Sequence, residues 1–148
     1  RGEGAMGEHL THAEMCHFLD TQVPFVKSLG ISCEEFRPGY AVARWKRDPQ
    51  WLRPGGYLFG GGLMSLADAA IYMAILGQIG LKAMAVTIEL KMNFLRPAIG
   101  GDVLARAQVL KVGQRITYGE VRLFMADAQD KLIAHATCTY AMPDSGQP

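Results

Sequence analysis

A chain of 148 residues with 15 Lys+Arg against 14 Asp+Glu has the length of one domain and almost no net charge. Near-neutrality removes any general attraction for phosphate backbones, so no nucleic-acid partner is expected. With 49% apolar and 20% charged residues, the composition excludes disorder over most of the length. Cys16, Cys33 and Cys138 form no CxxC pattern. Their odd number, without a basic and apolar leader, predicts reduced thiols and a cytoplasmic home. Residues 1–5 (RGEGA) read as a tag remnant, residues 6–143 as one domain and residues 144–148 as a flexible tail.

The first element is a helix over residues 11–29, with His12, Met15, Cys16, Leu19 and Val23 at helical spacing. Pro24 either breaks it or opens a second short helix, and Gly30 ends it. Residues 31–45 read as extended with a turn at Pro38-Gly39, and residues 46–56 (KRDPQWLRPGG) as a loop. From Gly60 the run GGGLMSLADAAIYMAILGQIGL predicts one long helix over residues 61–78, apolar nearly all round and therefore buried on all sides. A membrane span is not expected, because Asp68 would cost about 2.5–3.5 kcal/mol in a bilayer centre and the strands that follow need a core.

Four strands are predicted over residues 83–95, 102–110, 115–125 and 131–142, joined by turns as an antiparallel meander. In the first of them Val86, Ile88, Leu90, Met92 and Phe94 alternate with Thr87, Glu89, Lys91 and Asn93. A sheet curled around the long helix covers both apolar surfaces at once.

Asp68 is the one charged residue between Gly55 and Leu81. Two readings of it stand. It meets a partner such as Thr87, Arg53 or a backbone amide and fixes packing, or it is a general base or nucleophile tuned by burial. Gly60, Gly61 and Gly62 open the helix where unpaired N–H groups and the positive dipole end collect. Either they permit a tight approach of protein, or a carbonyl or anionic oxygen comes close to the backbone. Asp68 follows Gly61 by seven residues, two helical turns, which places both on one side of the helix. The four histidines show no metal-ligand spacing, and no metal is expected.

The segments RPGGYLFGGGLMSLADAAIYMAIL, AVTIELKMNFLRPA, GDVLARAQVLKVGQRITYGEVRLF and KLIAHATCTYAMP, in this order, resemble the hotdog-fold thioesterases of the phenylacetic-acid-pathway type over about residues 52–143. The resemblance implies an α+β hotdog fold, a long central helix wrapped by a curved antiparallel sheet, paired edge to edge as a homodimer and in many members again as a homotetramer. It implies acyl-CoA thioester substrates bound between subunits. The family's helix acid falls on Asp68, its His-Gly-Gly on Phe59, Gly60 and Gly61, and a water-positioning hydroxyl on Thr87. Two positions depart from the pattern: Phe59 replaces the usual His, and Arg53 stands where Asn is common.

The function expected on this basis is thioester hydrolysis without metal or organic cofactor. The carbonyl oxygen rests on N–H groups of Gly60 or Gly61. Asp68 of the opposing subunit activates water or attacks the carbonyl, and Thr87 holds the water or the carboxylate. Phe59 forms an apolar wall toward the acyl group, and Gly62, Ser65, Arg53 and Asn93 complete the substrate contacts. Loss of the His predicts slow turnover. The alternative is a non-catalytic acyl-CoA or fatty-acid binding protein on the same fold.

Overall fold

The computed structural model describes residues 10–144, so the tag remnant and all but the first residue of the tail lie outside the described residues. Helix α1 (His12–Gln22) starts at a capping box: Thr11 Oγ1 accepts from the Glu14 N–H (3.1 Å), and Glu14 Oε2 accepts from the Thr11 N–H (2.9 Å). Pro24 opens a second helix, α2 (Pro24–Leu29), which Gly30 ends in the left-handed region at φ 81°. Strands β1 (Ile31–Arg37) and β2 (Tyr40–Trp45) form the hairpin expected around Pro38-Gly39. The segment read as a loop contains a 3₁₀ turn (Pro49–Trp51) and a two-residue hairpin of β3 (Leu52–Arg53) and β4 (Tyr57–Leu58). Helix α3 (Gly60–Ile79) follows, then β5 (Val86–Phe94), β6 (Val103–Val112), β7 (Ile116–Met125) and β8 (Ala128–Ala141).

The main sheet is antiparallel in the order β1-β2-β6-β7-β8-β5 and wraps α3, which is the hotdog arrangement that the resemblance implies. The inner face carries small residues where the helix lies: Ala41, Ala43, Ala105, Ala107, Ala134 and Ala136 are all fully buried. At Gly119 a Cβ would fall 2.5 Å from Ile71 Cδ1 and 2.8 Å from the Gln108 carbonyl oxygen of the neighbouring strand, a backbone atom that cannot give way as a side-chain tip can, so this position takes glycine. Leu66, Ile71, Met73 and Ile75 of α3 fill the space between. By length and composition α3 could cross a bilayer, but 61% of its most apolar window is buried inside the fold.

Two expectations are corrected. The last four strands are not a simple meander: β6-β7-β8 are, but β5 pairs with β8 at the sheet edge. Residues 95–102, which contain the expected turn signals Arg96-Pro97 and Gly100-Gly101, cross from that edge to the far side of β7. Eight residues reach roughly 26 Å, whereas three strand spacings need only roughly 14 Å. Nor is α3 buried on all sides. Gly61 and Met64 are exposed and Ser65, Asp68 and Tyr72 half-buried, a stripe at helical spacing that the chain's own sheet leaves uncovered. Beside it, β5 is an unpaired edge with Val86 and Ile88 more than half exposed.

Candidate active site

Asp68 reaches outward from the middle of α3 and meets two hydroxyls. Thr87 Oγ1 donates to Asp68 Oδ1 at 2.7 Å. The Tyr140 hydroxyl donates to the same oxygen and lies 3.2 Å from the Asp68 carbonyl oxygen. Oδ2 accepts from no protein donor among the described residues. Arg53, weighed above as a partner, is not one.

Thr87 reaches the carboxylate through a break in strand periodicity. Simple alternation puts it on the face opposite Leu90 and Met92. A β-bulge between Thr87 and Glu89 inserts one residue, so that Thr87 pairs with Tyr140 while Leu90 pairs with Cys138 and Met92 with Ala136. All three partners are on the inner face of β8, and Thr87 therefore shares the helix side with them.

Tyr140 was not anticipated. Its signal was present in AHATCTYA: Ala134, Ala136, Cys138 and Tyr140 recur every second residue and all are buried. Burial first, and then the Asp68 charge, push the Tyr140 phenol up from its ordinary range, so it remains a proton donor. The same two causes, in the same order, push the Cys138 thiol up to about 12, so it stays neutral. The Tyr140 ring stacks on Tyr72 (centroids 6.3 Å apart, planes at 16°), and the Tyr72 hydroxyl donates to the Ala83 carbonyl at 3.0 Å.

Asp68, Thr87 and Tyr140 border a cleft of about 300 Å³ whose remaining wall is largely apolar, with Gln22 at the end of α1 as its other polar member. Tyr72, Ala69, Ala85 and Val86 contribute, together with Val23, Phe25 and Val26 from around α2. Sequence reasoning gave the first helices no part in the site.

The three glycines separate into different roles. A Cβ at Gly62 would fall 2.0 Å from the Trp45 indole, so this buried glycine serves helix packing and lines neither cleft. Gly61 is exposed on the uncovered stripe, and Gly60 lines a second cleft of about 460 Å³ with Arg53, Tyr57, Leu63, Phe94 and Arg96. As the first two residues of α3, Gly60 and Gly61 have N–H groups with no intrahelical acceptor, and Phe59 supplies no side-chain cap. Ser65 Oγ donates to the Gly61 carbonyl at 3.0 Å.

Phe59 lines neither cleft. Its half-buried ring sits between Trp45 and Trp51, each with its centroid 5.9 Å away, so within one chain it packs on indoles and opens into neither cleft. Phe59→His is therefore expected to lower stability by about 1–3 kcal/mol, since a polar nitrogen replaces ring edge among indoles, without raising turnover. Chemical denaturation and steady-state rates check both, and a faster enzyme of unchanged stability would contradict this placement. Asn93 pairs with His135 on the outer face of the sheet, exposed and away from both clefts.

Asp68 and Gly60 thus line different clefts of one chain, and Gly61 lies on the uncovered stripe between them. Eight residues from Gly60 to Asp68 are about 12 Å along a helix axis, too far for one carbonyl group to touch both. A third cavity, about 480 Å³ at the other end of α3, is lined by Ile79, Lys82, Arg115 and Met142 and holds none of the residues predicted from the sequence.

The molecule has close relatives in architecture and sequence. The solved structure of the PaaI protein from the phenylacetic acid degradation operon of Escherichia coli superposes with a TM-score of 0.80 at 25% identity, covering 93% of this chain and 96% of that one. The acyl-coenzyme A thioesterase PaaI of Escherichia coli is 35% identical over 109 residues, 73% of this chain and 74% of the relative. The medium/long-chain acyl-CoA thioesterase YigI of the same organism is 25% identical over 135 residues, 80% of this chain and 84% of the relative. Residues 55–131, which run from the turn before β4 to the start of β8 and include Gly60, Gly61, Asp68 and Thr87, match the thioesterase superfamily, and the chain belongs to that family.

Proposed function

We propose that the protein hydrolyses acyl-CoA-type thioesters at sites completed by a second copy of the chain. The observation that carries this reading is the Asp68 carboxylate, held by two hydroxyls at the mouth of an apolar cleft, on the one stripe of the central helix that the fold leaves uncovered. A second copy laid along that stripe and the β5 edge covers exposed apolar surface and brings its glycine amides toward this Asp68. The names of the relatives support acyl-CoA as the substrate class.

In this reading the thioester oxygen accepts from the N–H groups of Gly60 or Gly61 in one copy, aided by the helix dipole. Asp68 of the other copy takes a proton from water as the water oxygen bonds to the carbonyl carbon, or bonds to that carbon itself. In the first route the C–S bond then breaks, the thiolate leaves with the proton that Asp68 took from water, and the free acid departs. In the second, C–S cleavage leaves an acyl–Asp68 anhydride, water hydrolyses it to the free acid and the Asp68 carboxylate, and the proton released protonates the thiolate. No step calls for a metal or organic cofactor. The three free cysteines, two of them buried, suit a reducing cytoplasm.

Release of free thiol from a panel of acyl-CoAs, with light scattering on the same sample, tests the proposal. The expected result is turnover that favours apolar acyl groups, by a dimer or tetramer. A 16.2 kDa monomer would remove the shared site, and tight acyl-CoA binding with no thiol released would favour the binding-protein alternative.

A further inference from the structure

We propose that Tyr140 is a positioning residue for Asp68, the donor that makes the two carboxylate oxygens inequivalent and leaves Oδ2 as the one that reacts. This rests on the hydrolytic reading above. A carboxylate on a helix can turn about its side-chain torsions and present either oxygen. Here both protein donors converge on Oδ1, from Thr87 and from Tyr140, and Oδ2 is left without a protein donor among the described residues. Two donors from different strands define the plane of the carboxylate, which one donor cannot do.

The two donors are not equally secure. Thr87 is exposed, on an edge strand, and depends on a bulge for its orientation. Tyr140 is 3% exposed, lies on β8 between two paired strands, and has its ring stacked on Tyr72. Tyr72 is itself tied to the Ala83 carbonyl and packs near Phe18. The phenol is thus a fixed point set by the core, and Thr87 completes the plane from the rim. Such prior ordering of a reacting group adds to rate because the transition state then requires no search for geometry.

Tyr140→Phe tests this, since it removes one oxygen and keeps the ring and its stack. Measured beside the wild type and Asp68→Asn with one acyl-CoA substrate, it is expected to lower kcat about 10- to 100-fold, the scale of a lost hydrogen bond to a charged group, with KM within about twofold. A second readout needs no turnover. The Asp68 carboxylate stretch, isolated as the infrared difference between wild type and Asp68→Asn, shifts in Tyr140→Phe. If the phenylalanine variant fails to fold, 3-fluorotyrosine introduced at position 140 is used instead, and its more acidic hydroxyl shifts the same band. An unshifted band, or a kcat for Tyr140→Phe within twofold of wild type while Asp68→Asn is inactive, overturns the role of Tyr140 alone. Wild-type turnover by Asp68→Asn overturns the catalytic role of Asp68 and the role of Tyr140 with it, whereas no thiol release by the wild type overturns the hydrolytic reading itself.

Discussion

Asp68→Asn is expected to lower kcat by about 10²–10⁴-fold, the contribution of a general base, while leaving the protein folded. The substitution is close to isosteric. Its amide oxygen can still accept from Thr87 and Tyr140, the two groups that hold Oδ1. What is lost is the second carboxylate oxygen: an NH₂ group can neither take a proton from water nor bond to a carbonyl carbon. Asp68 is half-buried and makes no ion pair among the described residues, so its charge contributes little to holding the fold. Melting temperature is therefore expected to hold or rise as activity falls. Thiol release measured across substrate concentrations, with a thermal melt, reads both quantities. Unchanged kcat would make Asp68 a packing residue.

Gly60→Pro is expected to cost about 10²–10³-fold in kcat, the effect of removing one oxyanion donor. Proline deletes the N–H without demanding a new fold, because the first helical position tolerates it. Phe59 already has the extended conformation that a following proline favours (φ −71°, ψ 145°). A Cβ at Gly60 meets nothing nearer than the Phe94 ring at 3.4 Å. Mixing this variant with Asp68→Asn, after unfolding and joint refolding, distinguishes a shared site from a private one. If each site takes Asp68 from one copy and Gly60 from the other, a mixed dimer has one intact site, and random pairing restores about a quarter of wild-type activity. A site within one chain would restore none.

Much of this was legible in the residues. The long helix, the first hairpin and the outlying carboxylate follow from periodicity, turn residues and a charge stranded among apolar neighbours, all of which are local properties of the chain. The position of Thr87 was also visible, but not its direction: alternation assigns it to the outer face, and only the bulge turns it toward Asp68. A bulge is set by how two strands fit across a ladder, so one strand's sequence does not announce it.

The same distinction separates the glycines and Phe59. In sequence the three glycines are one feature, and Phe59 is a substituted histidine facing a ligand. In the fold Gly62 makes room for Trp45, the Gly60 and Gly61 amides have no acceptor among the described residues, and the half-buried Phe59 ring packs between Trp45 and Trp51. Those outcomes depend on Trp45 and Trp51, 8 to 17 positions earlier in the chain, which meet Phe59 and Gly62 only when the hairpin and the turn after it close on the helix. Tyr140 is the extreme case, separated from Asp68 by 72 positions and joined to it by a hydrogen bond. The amino-acid pattern was enough to say that a buried-type helix carries one acid and opens on glycines. Which groups hold that acid, and which surface of the helix the sheet leaves bare, was decided by strand order and register, because packing selects among faces that local periodicity leaves equivalent.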